Sequence, residues 1–221
     1  MPAQRDVASY AKLLWERGYV ANHDGNVSVR ASDGKRFFAT PTATSKRLVD
    51  ASDVVTVDLA GKILAGKRKL FGEWHLHAAA YAARADVGAV VHAHPKSATA
   101  IGLARKALGV PALPEMVVSL GKSIPTIESA LPKSAGQDAA LKAALDDGDA
   151  DVVLVAGNGV VAVGVDLEQA FLRLELVEHY AAMVIAAAPL GGIAPLSDGD
   201  VQKLLEARTK AGLGKAARRG A

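Results

Sequence analysis

The sequence predicts an α/β chain whose sheet is mixed or largely antiparallel and covered by helices. Three observations carry that expectation. Short apolar runs alternate with polar residues at the two-residue period of a strand. Several of these runs are joined by tight Gly-containing turns, which suit hairpins and leave no room for the crossover a parallel pair needs. Segments with helical spacing are interleaved among them, which supplies helices to cover the sheet.

The elements follow in order. From Val7 to Gly18, Val7, Tyr10, Ala11, Leu14 and Trp15 recur at helical spacing, with Asp6 placed to cap the start and Gly18 to end it. In "HDGNVSVRASDGKRFFATP", Val27 and Val29 alternate with Ser28 and Arg30, and a Ser32-Asp33-Gly34 turn leads to Phe37 and Phe38, a hairpin. "DVVTVDLAGKILAG" predicts a second hairpin, turning at Ala60-Gly61. Glu73 to Arg84 is helical, with Leu76, Ala80 and Tyr81 on its apolar side. Val87 to His94 is a strand, and Pro95 suits the first turn of a helix running to about Lys106. Ser134 to Leu145 predicts another helix, with Gly148 at its exit. "DVVLVAGNGVVAVGVD" is a strand pair with Gly157-Asn158-Gly159 at its tip. Leu167 to Ala187 is a long helix, and Asp198 to Ala211 a final one. No repeat, low-complexity segment or linker interrupts the pattern. Residues 1–221 therefore read as one domain, with a core over about 8–196 and a C-terminal helix and basic tail over 197–221.

Composition narrows the class. The 221 residues are 50% hydrophobic and 22% charged with a net charge of +3, an ordinary globular balance. Much of the basic excess sits in "RTKAGLGKAARRGA" (208–221), expected to be a solvated terminus, so no nucleic-acid partner is implied. There is no cysteine, which excludes disulfide scaffolds and thiolate metal sites. The N-terminus lacks a basic segment followed by a long apolar core. The most apolar late stretch, "AAMVIAAAPLGGIAPL", is broken by Pro189, Gly191, Gly192 and Pro195. A cytoplasmic protein without a membrane partner is expected.

Chemistry concentrates in a few places. The chain has only six histidines, yet two of them, His92 and His94, stand two residues apart at the end of an apolar strand. Side chains two apart on a strand share a face, so two imidazoles can converge on one metal ion or sit as a hydrogen-bonded structural pair. Glu73 opens the helix that leads through Ala85-Asp86 into this strand, and a fold-back brings its carboxylate toward the strand end as a ligand or general base. His77, four residues on, shares Glu73's helical face and is expected to be a core histidine that orients Glu73 by hydrogen bond. His75 lies off that face and is expected to be an exposed or interface side chain. Asn26 follows Gly25 at a strand start. Thr40, Thr42, Thr44, Ser45 and Lys46 form a polar loop that suits either a turn or a phosphate or carboxylate group.

In this order, "GNVSVR", "TPTATSKRLVDASDVVTVDLAGK", "GEWHLHAAAYAARADVGAVVHAHPKSATA", "VLVAGNGVVAVGVDLEQAF" and "LELVEHYAAMV" resemble the class II aldolase/adducin head-domain family. Its members include L-fuculose-phosphate aldolases and ribulose-phosphate 4-epimerases. The resemblance runs from about Ala8 to Leu196. It implies a three-layer α/β/α sandwich with a central, mostly antiparallel sheet, a cyclic homotetramer with sites between subunits, and a small-molecule substrate. It makes Glu73 the catalytic acid/base, His92 and His94 ligands of a divalent metal, zinc first, and Asn26, Thr42, Ala43 and Gly72 the pocket for a substrate anion. The typical reaction is retro-aldol cleavage of a ketose phosphate through a metal-stabilised enediolate.

The chain also departs from the family pattern. Where the family carries Asn-His-Gly, this chain has Gly157-Asn158-Gly159, so Asn158 stands in for the third histidine ligand. An amide oxygen is a harder ligand than imidazole, and it admits manganese or magnesium beside zinc. Two serines before the glutamate are replaced by Phe71, a bulky phenyl, and Gly72, which opens the way to a smaller or carboxylated substrate. Near Pro114, where the family often has tyrosine, stands Glu115. The leading expectation is a metal-dependent aldehyde-lyase. The alternatives are a decarboxylase, dehydratase or epimerase acting on a hydroxy or keto acid in the same fold, and a catalytically inactive, adducin-like interaction module.

Overall fold

A computed structural model of the chain describes residues 2–128, 135–146 and 150–219. The alternating Val/Ser segment forms β1 (Asn26–Arg30), which turns into β2 (Phe37–Ala39). The second hairpin is β3 (Val55–Val57) with β4 (Ile63–Ala65). The histidine strand is β5 (Ala89–Ala93). β6 (Thr126–Ile127), β7 (Val152–Val155) and β8 (Val160–Gly164) complete the strands. They pair in one eight-stranded sheet, ordered β4-β3-β2-β1-β5-β8-β7-β6. Every pairing is antiparallel except β6 with β7. The helices are α1 (Pro2–Glu16), α2 (Trp74–Ala83), α3 (Lys96–Leu103), α4 (Pro114–Leu120), α5 (Ala135–Asp146), α6 (Leu167–Ala187), α7 (Asp198–Lys210) and α8 (Gly214–Arg219).

Strand alternation divides the core. Val27, Val91, Leu154 and Ala162 pack on one face with Val7 and Leu14 of α1, Ile101 of α3 and Phe171 and Leu174 of α6. Val90, Val153, Val161 and Val163 pack on the other face with Leu76 and Ala80 of α2 and Leu141 and Leu145 of α5. This is the expected α/β/α sandwich. Burying each large aliphatic or aromatic side chain contributes about 1.5–3 kcal/mol. Among the described residues no helix is long and apolar enough to cross a membrane.

The structure corrects several boundaries. The first helix begins at Pro2, where proline's fixed φ suits an opening turn, so Asp6 lies within the helix and does not cap it. Trp15, placed on the apolar face by its spacing, is 42% exposed and stacks under the Arg47 guanidinium. α3 stops at Leu103, short of Lys106, and β5 ends one residue before His94. α4 and β6 had no expectation in the sequence, because seven and two residues are too short to show a period. Ser134 and Gly148, expected to bound the fifth helix, lie outside the described residues.

The expected solvated tail is also corrected. Arg208 is 2% exposed. It donates to the carbonyls of Val118 and Ser119 at 2.9 and 2.8 Å and pairs with Asp151 at 2.5 Å. Asp151 is fully buried and also pairs with Arg84 at 2.7 Å and Arg173 at 2.9 Å. One carboxylate thus ties the C-terminal ends of α2 and α7 and the first half of α6 to the start of β7. An arginine at the start of a basic segment gives no sign of such a partner until the fold brings the aspartate to it.

Candidate active site

The central strands β1, β5 and β8 build the site. Asn26 pairs with His92 across β1 and β5, and His92 pairs with Val161 across β5 and β8. His92 is two residues from Val90, so it faces the α2 side, where Glu73 stands immediately before the helix. The β7–β8 tip closes over the same place. Gly159 has φ +71°, and a β-carbon there would lie 2.2 Å from the Ala93 carbonyl oxygen and 2.5 Å from the His94 ring. Only glycine lets the tip come this close, and that approach delivers Asn158.

Both imidazoles have a fixed tautomer. His92 is fully buried, and its Nδ1 is 3.0 Å from the Val160 carbonyl oxygen. A carbonyl only accepts, so Nδ1 carries the hydrogen and Nε2 is a bare lone pair. His94 places Nδ1 3.3 Å from a carboxylate oxygen of Asp24, whose other oxygen accepts from the Ala21 amide at 2.8 Å. The ring centroids are 5.2 Å apart. The Nε2 atoms of both rings are buried with no hydrogen-bond partner. An unsatisfied buried polar atom costs about 1–3 kcal/mol, and two side by side fit a shared cation. Orientation of ligand imidazoles through the opposite nitrogen is what metal-binding histidines require. The pair therefore fits a divalent metal. Among the described residues no group of three or more His, Cys, Asp or Glu is arranged to hold one; Asn158 turns its NH2 group to Glu73 at 2.8 Å.

Glu73 sits against this pair. Its Oε1 is 3.5 Å from His92 Nε2 and accepts from Asn158 Nδ2 at 2.8 Å. Its Oε2 accepts from Asn26 Nδ2 at 3.0 Å. Burial alone would raise the Glu73 pKa. The adjacent His92 and the two amide donors, Asn158 and Asn26, outweigh it and hold the carboxyl well below its usual range. For His94, burial and the neighbouring His92 lower the pKa against the opposing pull of Asp24 and Glu73. Sequence spacing brought Glu73 and the histidines together but gave no sign that Asn26 and Asn158 would grip the carboxylate from both sides.

Of the anion-pocket candidates, Asn26 contacts Glu73 and Gly72 precedes it in the chain. Thr42 donates its amide to the Lys69 carbonyl at 2.9 Å, and Ala43 adopts a left-handed backbone with φ +53°. Gly72 is exposed immediately before Glu73. Lys46 anchors the loop. It is 2% exposed and donates Nζ to the carbonyls of His23 at 3.0 Å and Thr44 at 3.2 Å. Burial pushes its pKa down to about 8 despite the nearby Asp24 and Glu73 carboxylates. An amine with a depressed folded pKa binds fewer protons than its unfolded counterpart, so stability rises with pH between about 8 and 10.5. Melting temperatures across that window are expected to rise more steeply for the wild type than for Lys46→Met.

Two other expectations change. His77 does not touch Glu73. It is fully buried, with Nε2 2.5 Å from Asn26 Oδ1 and Nδ1 2.7 Å from Ser28 Oγ, so it acts on Glu73 only through Asn26. His75 is not exposed: it is half-buried and pairs with Asp138 of α5 at 2.6 Å, because α2 packs against α5 along that face. Phe71 is 7% exposed and packs on Trp74 and His77, with centroids at 6.0 and 4.9 Å. Glu115 is exposed and lines a cavity of about 740 Å³ along α6 with Arg17, Glu175 and His179, a cavity lined by none of Glu73, His92, His94 or Asn158.

Comparison with known proteins places this geometry. The chain is 29% identical over 176 residues to an L-fuculose phosphate aldolase of Methanocaldococcus jannaschii, covering 79% of this chain and 91% of that one. It is 33% identical over 184 residues to an L-fuculose phosphate aldolase of Escherichia coli K12, covering 82% of each. A solved L-fuculose 1-phosphate aldolase superposes with a TM-score of 0.83 at 28% identity, covering 93% of this chain and 95% of that one. Residues 5–185 match the family described as the class II aldolase and adducin N-terminal domain, and the chain belongs to that family.

Proposed function

We propose that the chain is a metal-dependent aldehyde-lyase that cleaves a small ketose phosphate or a related hydroxy-carbonyl compound. The observation that carries the proposal is the pair of bare, buried Nε2 atoms on His92 and His94 beside a carboxylate, with Glu73 Oε1 3.5 Å from His92 Nε2. The imidazoles would hold the metal, zinc first, with Asn158 in the third place admitting manganese or magnesium. When bound, that ion supplies Lewis-acid polarisation of the substrate's carbonyl and hydroxyl oxygens.

The protein's own groups do the rest. Glu73, as carboxylate, takes the proton of the hydroxyl whose carbon departs as an aldehyde. The electron pair of the breaking carbon–carbon bond passes toward the carbonyl fragment, and Glu73 returns the proton to the carbon that bond has left. Asn26 and Asn158 hold the carboxylate still between these two transfers. Thr42, Ala43 and Gly72 receive the substrate's anionic end, with Lys46 bracing their loop. A homotetramer acting in the cytoplasm on a small molecule completes the proposal.

The test is product analysis with a panel of L-fuculose 1-phosphate and hydroxy and keto acids in the presence of zinc or manganese. Aldehyde release that depends on Glu73 is expected. Carbon dioxide release from an acid would instead assign the decarboxylase alternative, for which the loss of the two serine hydroxyls at Phe71 and Gly72 speaks. No product from any member would favour the interaction module.

A further inference from the structure

One stripe of α2 is zipped to one face of β1. Glu73, His77 and Tyr81 are spaced four residues apart and share a helix face, while Asn26 and Ser28 are two apart and share a strand face. Their side chains alternate across the gap. Tyr81 Oη is 2.7 Å from Ser28 Oγ, Ser28 Oγ is 2.7 Å from His77 Nδ1, His77 Nε2 is 2.5 Å from Asn26 Oδ1, and Asn26 Nδ2 is 3.0 Å from Glu73 Oε2. Asn26, Ser28, His77 and Tyr81 are all buried, so water cannot substitute for a missing link.

Each link fixes the polarity of the next. An ionised carboxylate can only accept, so Asn26 must turn its NH2 group toward Glu73. The Asn26 oxygen then faces His77 and requires a hydrogen on Nε2. Burial lowers the His77 pKa to about 3, so the ring is neutral and has no second hydrogen. Its Nδ1 is a bare acceptor and draws the Ser28 hydroxyl hydrogen. With that hydrogen committed, Ser28 Oγ accepts from Tyr81. The Arg30 guanidinium covers the Tyr81 ring at 5.1 Å and donates to the Tyr81 carbonyl at 3.0 Å, which steadies the far end.

We propose that Tyr81, Ser28 and His77 are positioning residues, a one-directional hydrogen-bond chain whose single arrangement holds Asn26 in the orientation that locks the Glu73 carboxylate against His92. The proposal rests on the reading of Glu73 as the acid/base. It has a second consequence that does not depend on activity. Removing the Ser28 hydroxyl leaves Nδ1 of His77 without a donor, so the ring can reverse its tautomer. Asn26 would then reverse its amide and present an oxygen to the Glu73 carboxylate.

The experiment is nitrogen-15 histidine NMR on the whole chain, with His77 assigned by its absence in His77→Gln, combined with kinetics on L-fuculose 1-phosphate or whichever panel substrate is cleaved. The wild type is expected to show His77 neutral with its hydrogen on Nε2. Ser28→Ala is expected to lose that single tautomer and to lower kcat by about 10–100-fold, the range seen for groups that orient a reacting residue, with KM within about twofold. Ser28→Thr, which restores a hydroxyl, is expected to recover both, and this separates positioning from a loss of folding. Tyr81→Phe is expected to give a smaller decrease in the same direction. A wild-type His77 with its hydrogen on Nδ1, or a reversed tautomer in Ser28→Ala with unchanged kcat, would overturn the proposal. If the wild type cleaves nothing in the panel, the lyase reading fails on its own, and the His77 tautomer still decides whether the chain has the stated direction.

Discussion

Glu73→Gln is expected to lower kcat by about 10²–10⁴-fold, the usual contribution of a positioned acid or base. Glutamine keeps the shape of the side chain but cannot accept and return a proton. It also disturbs the surroundings in a defined way. Asn26 and Asn158 both direct NH2 groups at this position, at 3.0 and 2.8 Å. A carboxylate accepts from both, whereas an amide has only one oxygen, so one of the two contacts becomes donor against donor. Steady-state kinetics on the cleaved panel substrate, with the melting temperature as a control for folding, checks this. Retention of kcat within a few-fold of the wild type would remove Glu73 from the chemistry.

Asp151→Ala is expected to have the largest effect on stability. It removes the one buried carboxylate that Arg84, Arg173 and Arg208 share, and breaking a buried pair from one side costs about 3–5 kcal/mol because charge is left uncompensated. Burial already pushes the Arg173 pKa down to about 10, a sign of how costly that cation is to desolvate. At about 2–4 °C per kcal/mol for a chain of this size, the melting temperature is expected to fall by about 6–20 °C. The Asp151 carboxyl would be raised by burial, but the three arginines hold it below its ordinary value. Its contribution is therefore present above the pKa of an unfolded aspartate and is lost as pH falls through the lower folded value. The difference in melting temperature between wild type and Asp151→Ala should narrow in acid. An equal melting temperature at neutral pH would contradict the account.

The parts of the fold legible in the sequence were those with a long or repeated period. The 21-residue α6 was expected at the limits observed, Leu167 to Ala187, and the structure adds its N-cap, Asp166, which accepts from the Gln169 amide. The two N-terminal hairpins and the β7–β8 tip follow from alternation and glycine turns. α4 and β6 were not legible, since each is positioned by what it packs on and not by its own pattern. The candidate site shows the same division. His92 and His94 declare themselves by spacing, and Glu73 by the short path from its helix to their strand. The partners of His75 and Arg208 do not, because Asp138 lies 63 residues and Asp151 57 residues away, and only the packed helices bring them together. His77 shows how a correct face can still assign the wrong contact: it shares the Glu73 stripe, yet Asn26 from β1 intervenes.

The central claim is that two imidazoles with bare Nε2 atoms hold a metal ion beside Glu73. Its most direct measurement is calorimetric titration of metal-free protein with zinc and with manganese, for the wild type, His92→Ala and His94→Ala. Saturable binding of a single ion per chain by the wild type, lost in both variants while their melting temperatures stay near that of metal-free wild type, is the predicted result. No binding by the wild type, or binding that neither substitution weakens, would contradict it.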